Sequence, residues 1–156
     1  MEVLTNKEKI DVLIKIYNIF NKNNILWALG GSLNLCFRNI VSDFNDIDIV
    51  INLKDSKKVE ELLMKIGDKE PSKDKGVYNT TYFGEFKIDG VEVDIMSEVH
   101  INNSSFCLSL RKEDIDIYNY QNKYEIPLHS LDVWLEFYRQ IGRTKKVEII
   151  ENYLKK

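Results

Sequence analysis

Apolar side chains recur at Ile10, Leu13, Ile14, Ile16, Tyr17 and Phe20, with charged residues between them. That period predicts an amphipathic helix over residues 6–23, stopped at Asn23 and Asn24. Residues 25–29 form a short apolar, strand-like run that Gly30 and Gly31 end abruptly. A helix is expected over 32–39, with Ser32 as its N-cap. Ile47, Ile49, Val50 and Ile51 make 46–51 read as a strand buried on both faces. Val59, Leu62, Leu63 and Ile66 mark a helix over 55–66, with Gly67 as its C-cap.

Further along, the charged stretch 68–75 contains Pro71, leads to Gly76 and reads as a mobile loop. Strands are expected over 78–88 and 91–96, joined by Asp89-Gly90, a dipeptide suited to a tight hairpin. Another strand is expected over 106–110, and the pattern between 112 and 124 is too weak to assign. Beyond Pro127, helices are expected over 131–141 and 144–154. No repeat, low-complexity segment or linker interrupts the chain. The order of elements predicts one domain over 1–156, of α/β or α+β class.

Composition narrows the function classes. Hydrophobic residues make up 44%, enough for a sizeable core, and 30% are charged. No apolar run approaches the roughly 18 residues needed to cross a bilayer. The start of the chain, with Glu2, Lys7, Glu8 and Lys9, is charged and unlike a signal peptide. A cytoplasmic protein with two reduced core thiols, Cys36 and Cys107, is the expectation. The net charge of −3 and the scattered lysines argue against a nucleic-acid partner, since backbone binding needs a basic stripe. A small anionic ligand held through metal remains open.

Three features carry candidate chemistry. Gly30-Gly31-Ser32 lies between a strand and a helix, where backbone N–H groups can meet an anion. The same residues are also ordinary turn and cap chemistry. In Asp46-Ile47-Asp48 the two carboxylates stand on one face of a strand, where they repel unless a cation sits between them. Solvation at a strand end is the alternative. In Val91-Glu92-Val93-Asp94-Ile95-Met96, alternation puts Glu92, Asp94 and Met96 on one face. Asp94 is either an exposed strand acid or a third metal-site carboxylate.

Taken together, these segments resemble the nucleotidyltransferase superfamily, which includes DNA polymerase beta and the small antibiotic-modifying nucleotidyltransferases. The resemblance spans about residues 25–96, with an echo in Gly142-Arg143-Thr144-Lys145-Lys146. Thirteen residues separate Ser32 from Asp46, which looks more like the lincosamide-type enzymes than the minimal toxin–antitoxin forms. The resemblance implies a small mixed β-sheet flanked by helices, with helices at the C-terminus. It implies a transfer of nucleoside monophosphate from a nucleoside triphosphate such as ATP to a hydroxyl on a small molecule or protein. Asp46, Asp48 and Asp94 would be the catalytic and metal-holding residues, with Mg2+ or Mn2+ as the ion and a pair of ions about 3.5–4 Å apart. Asp94 would orient and help deprotonate the acceptor, while Gly30, Gly31 and Ser32 would bind the nucleotide. Arg139, Arg143 and Lys146 are the candidate cations for the triphosphate. A site completed across a homodimer, and a non-catalytic binding protein such as a toxin–antitoxin component, are the further readings.

Other residues read as structural. His100 and His129 lack metal-ligand spacing. Trp27 and Trp134 fall in apolar patterns and read as core. Tyr118, Tyr120 and Tyr124 are expected to pack on the sheet, and Ser104-Ser105 has no recognisable partners for hydrolysis.

Overall fold

Helix α1 (Asn6–Lys22) begins where Thr5 and Glu8 satisfy each other's backbone. The Thr5 hydroxyl accepts the Glu8 N–H at 3.1 Å, and the Glu8 carboxylate accepts the Thr5 N–H at 2.9 Å. The computed structural model describes residues 3–71 and 78–156, so Glu2 and the 72–76 part of the expected loop lie outside the described residues. Eight strands follow in chain order: β1 (Trp27–Gly30), β2 (Ile47–Ile51), β3 (Asp68–Glu70), β4 (Tyr78–Ile88), β5 (Val91–Ile101), β6 (Cys107–Leu108), β7 (Ile115–Tyr120) and β8 (Tyr124–His129). The remaining helices are α2 (Gly31–Phe37), α3 (Ser56–Met64), α4 (Leu131–Gln140) and α5 (Thr144–Leu154).

The strands form one mixed sheet in the order β3-β4-β5-β2-β1-β8-β7, with β6 on β5. β2 runs parallel to β5 and β1 parallel to β8, while the other pairs are antiparallel. The two faces are covered differently. On one, Leu13, Ile16 and Phe20 of α1 and Val59 and Leu63 of α3 pack with Leu29, Ile47, Ile49 and Val93. On the other, Leu131, Trp134, Leu135 and Phe137 of α4 and Ile150 of α5 pack with Ala28, Val50 and Met96. Each fully buried side chain of this size contributes about 1.5–3 kcal/mol. Both faces of β2 are therefore apolar, as its isoleucine run predicts.

Several expectations shift. Helix α2 starts one residue early, with Gly30 at its cap and no side-chain cap bond, so Ser32 does not cap it. Helix α3 ends at Met64 with Lys65 as its C-cap, and Gly67 lacks the left-handed φ of a glycine cap. The expected loop opens with strand β3, which pairs Asp68–Glu70 with Lys87–Glu85 of β4. Strand β5 runs on to Ile101 because β4 pairs with it over its full length. The Asp89-Gly90 hairpin forms, with φ of 49° and 82°. The unassigned segment holds a second hairpin, β7–β8, turned by Gln121 and Asn122 at φ of 55° and 54°.

Asn34 joins the elements that surround the β1–α2 turn. It is 1% exposed, and its amide donates to Leu29 O at 3.0 Å and His129 O at 2.8 Å. Its carbonyl accepts Arg38 Nε at 2.6 Å, and Arg38 reaches Asp116 of β7 at 2.9 Å. One amide thus ties the ends of parallel strands β1 and β8 to α2. Replacing Asn34 by Ala removes its bonds to Leu29 O, His129 O and Arg38, leaving His129 O only Arg38 Nη2 at 3.2 Å, and is expected to destabilise the fold by about 2–4 kcal/mol. Urea unfolding measures this; a change under about 0.5 kcal/mol at constant slope would show that the amide does not hold the turn.

Candidate active site

A row of laterally paired residues crosses the sheet. Gly30 of β1 faces Asp48 of β2, Asp48 faces Asp94 of β5, Asp94 faces Glu85 of β4, and Glu85 faces Glu70 of β3. Paired residues project to the same face, so the register gathers acids from four strands. Asp46 lies one residue before β2 rather than within it, and is exposed. Asp46, Asp48 and Asp94 all line one cleft of about 410 Å³, together with Ser32. Its other wall is Trp134, Phe137 and Tyr138 from α4, with Arg143 and Lys146. That volume lies within the range of small-molecule sites, about 300–1,000 Å³.

The two glycines serve different ends. A side chain at Gly30 would run into the Trp134 ring, so Gly30 lets α4 lie directly on β1. Gly31 has φ of +62°, and a side chain there would overlap the Asp48 carboxylate. Ser32 points into the cleft, where its hydroxyl accepts a bond from Lys146 Nζ at 2.9 Å. Helix α2 spans only seven residues, so anion binding here rests on individual groups more than on a helix dipole.

The site's electrostatics extend beyond the three predicted aspartates. Glu92, on the Asp94 face of β5, is pushed up to about 7 by its hydrogen bond to Glu70, by burial and by the Glu70 charge. Two carboxyls sharing a proton explain the direction. Tyr138 is pushed far up by burial, with the Asp48 charge adding to it, and stays a neutral phenol. Behind the aromatic wall, His129 is 0% exposed and its Nδ1 accepts the Trp134 indole N–H at 3.0 Å. Burial pushes His129 down to about 4, with Asp114 opposing weakly, so it is a neutral acceptor that orients Trp134.

Of the three candidate cations, Arg143 and Lys146 line the cleft. Arg139 does not; it bonds Glu136 and Glu151 at 3.5 and 3.0 Å on the surface. His100 stands apart, 4.0 Å from Cys107 Sγ, and Trp27 is core, packed edge-on against Tyr17 and Phe20. Tyr118 stacks on Phe37, as the packing reading expects. Trp134 is core and cleft wall at once, a dual role its apolar context did not reveal. Glu70, Glu85 and Asn34 were not singled out by sequence, because only strand register and tertiary packing bring them near. Among the described residues no three His, Cys, Asp or Glu are already gathered at metal-ligand spacing. The donor chemistry still suits a hard cation: three carboxylates open on one cleft, and Gly31 leaves room for that of Asp48.

A mixed sheet with Gly-Ser after β1, Asp-x-Asp at the start of β2 and an acid on the parallel neighbour β5 is the nucleotidyltransferase architecture. The chain belongs to the aminoglycoside-2″-adenylyltransferase family, which matches residues 12–151. Among curated proteins, none matches the sequence. Solved structures share the fold. A candidate nucleotidyltransferase from Thermotoga maritima is 22% identical with a TM-score of 0.74, covering 97% of this chain and 96% of its own. ANT(2″)-Ia in complex with adenylyl-2″-tobramycin is 11% identical with a TM-score of 0.65, over 92% and 88%. The lincosamide antibiotic adenylyltransferase LnuA, lincomycin-bound, is 17% identical with a TM-score of 0.64, over 96% and 98%.

Two measurements check this geometry. In a Trp27→Phe background, Gly30→Ala is expected to displace Trp134 and red-shift its emission, while Gly31→Ala leaves emission near that of the parent. Equal spectra for both variants would contradict the separate roles. Since His129 binds a proton less readily folded than unfolded, stability is expected to fall by about 3 kcal/mol as pH drops from about 6.5 to about 4. Glu92 titrates nearby with the opposite sign, so the parent's loss is compared with that of His129→Gln, which should lack this component. Identical pH profiles of the two proteins would rule it out.

Proposed function

We propose that this protein transfers a nucleoside monophosphate from a nucleoside triphosphate, ATP foremost, to a hydroxyl of an amine-bearing antibiotic. One observation carries the reading: Asp48 and Asp94 are neighbours on paired parallel strands, beside Gly31-Ser32, and open on a single cleft. Family membership supports adenylyl as the transferred group.

Asp46, Asp48 and Asp94 would hold Mg2+ or Mn2+, which when bound neutralises phosphate charge and stabilises the leaving oxygen. Asp94 would orient the acceptor hydroxyl and take its proton as the new O–P bond forms at the α-phosphorus. The bond from that phosphorus to the bridging oxygen breaks, and pyrophosphate leaves. The Gly31 N–H and Ser32 hydroxyl would donate to the outer phosphates. Trp134, Phe137 and Tyr138 would give the base an apolar wall and limit water. Positioning and charge neutralisation then supply most of the rate.

The acids beyond the catalytic trio bear on the acceptor. Glu70 and Glu92 extend the acidic face away from β2, with Glu85 buried in the same row, and their shared proton leaves a negative charge that suits an ammonium group on a sugar. ANT(2″)-Ia carries a modified tobramycin, an aminoglycoside, whereas LnuA binds lincomycin. The acidic extension favours the polyamine class. Both cysteines are free, and no described helix is long and apolar enough to cross a membrane, in keeping with work in the cytoplasm. A homodimer that completes the acceptor site accompanies this reading, and light scattering tests it.

Calorimetric titration of ATP, GTP, CTP and UTP with Mg2+ tests the donor site. Binding of at least one triphosphate is expected, and its loss in Asp46→Ala/Asp48→Ala. Asp94→Asn is expected to keep binding and to lose transfer by at least a hundredfold. Pyrophosphate release with tobramycin but not lincomycin would support the acceptor class. A folded parent that binds no triphosphate would favour a non-catalytic binding protein.

A further inference from the structure

We propose that Lys146 reads the phosphate chain: its ammonium rests on the Ser32 hydroxyl until a triphosphate takes that hydroxyl's place. The inference rests on the nucleotide-donor reading above and assigns one residue's work within it. Lys146 Nζ donates to Ser32 Oγ at 2.9 Å across 114 positions of sequence. Both residues face the cleft that Asp48 and Asp94 line.

Three observations favour a phosphate ligand over a mere tether. First, among the described residues Lys146 makes no ion pair, although seven other lysines and arginines do. Its hydrogen-bond partner is a neutral hydroxyl, which returns about 1.5–3 kcal/mol to a charged donor, much of it offset by the rotamer freedom a held lysine loses. Second, Lys146 is half-buried and Arg143, one turn earlier, lines the same cleft. Burial first, and the Arg143 charge next, push the Lys146 pKa down. An anion would relieve both effects. Third, the adjacent Lys145 is exposed, so α5 turns only one of the pair inward.

The geometry also says which phosphates Lys146 meets. Asp48 and Asp94 lie on β2 and β5, with Asp46 just before β2, whereas Lys146 lies on the Ser32 side of the cleft, supplied by α5. With the α-phosphorus at the carboxylates, an ammonium on Ser32 addresses the phosphates beyond it. A phosphate oxygen brings the ammonium a full opposite charge, whereas the hydroxyl offers it only a dipole. The exchange of hydroxyl for phosphate is therefore favourable, and α5 closes one side of the donor site.

Binding of Mg·ATP, Mg·AMP and Mg·pyrophosphate is measured for the parent, Lys146→Gln, Lys146→Arg and Lys145→Gln, with melting temperatures alongside. Lys146→Gln is expected to weaken ATP and pyrophosphate at least tenfold and leave AMP within twofold. Lys146→Arg is expected to recover most of the loss, and Lys145→Gln to match the parent. Unchanged ATP and pyrophosphate binding in Lys146→Gln would overturn the assignment. So would equal weakening of all three ligands with a lowered melting temperature, the signature of a tether. A parent that binds none of the three overturns the donor reading itself, and this inference with it.

Discussion

The Asp48 carboxylate occupies the space that a side chain at Gly31 would need, and the site is arranged around that exclusion. A carboxylate on a strand as apolar as β2 has to stand where the sheet meets the turn after β1. Register then does the rest. Gly30, Asp48 and Asp94 form one lateral row, so a slip of one residue would turn the carboxylates into the core and the isoleucines outward. The apolar faces of β2 penalise that slip heavily, and the placement of the carboxylates is thereby fixed by core packing.

The uneven cover of the sheet explains why the site is open. Helices α1 and α3 cover one face with a continuous apolar cluster. On the opposite face α4 reaches only part of the sheet, beginning with Trp134 seated on Gly30. The remainder carries Asp48, Asp94 and Glu70 partly exposed, with Glu85 buried in the same lateral row. The aromatic edge of α4 stands against that acidic row, and a buried neutral histidine holds its indole from behind. Charge balance then falls to the start of α5, where Arg143 at its cap and Lys146 in its first turn are, among the described residues, the cations on the cleft.

Legibility differed between residues for physical reasons. The Gly-Gly-Ser turn, the Asp-x-Asp pair and Asp94 could be read directly, because each is local and each breaks an otherwise apolar pattern. The β7–β8 hairpin could not. Its turn uses Gln121 and Asn122 in left-handed conformations without a glycine, and Pro127 lies within β8, where proline argues against a strand. Strand β3 was hidden likewise, since Asp68–Glu70 is wholly polar and is a strand only because β4 offers an edge. Ser32 looked like a helix cap by composition, yet its hydroxyl serves a lysine from the far end of the chain.

The sequence by itself determined the order of elements around the carboxylates, the mixed α/β class and the acids of the site. Those follow from hydrophobic period and from charges that interrupt it, which neighbouring residues suffice to express. Only the tertiary structure decided which cations reach the cleft, separating Lys146 and Arg143 from Arg139, and which further acids extend it. It also decided that Gly30 serves Trp134 while Gly31 serves Asp48. Those outcomes depend on strand register and on how helices seat on a sheet, contacts between residues up to 114 positions apart that no local pattern encodes.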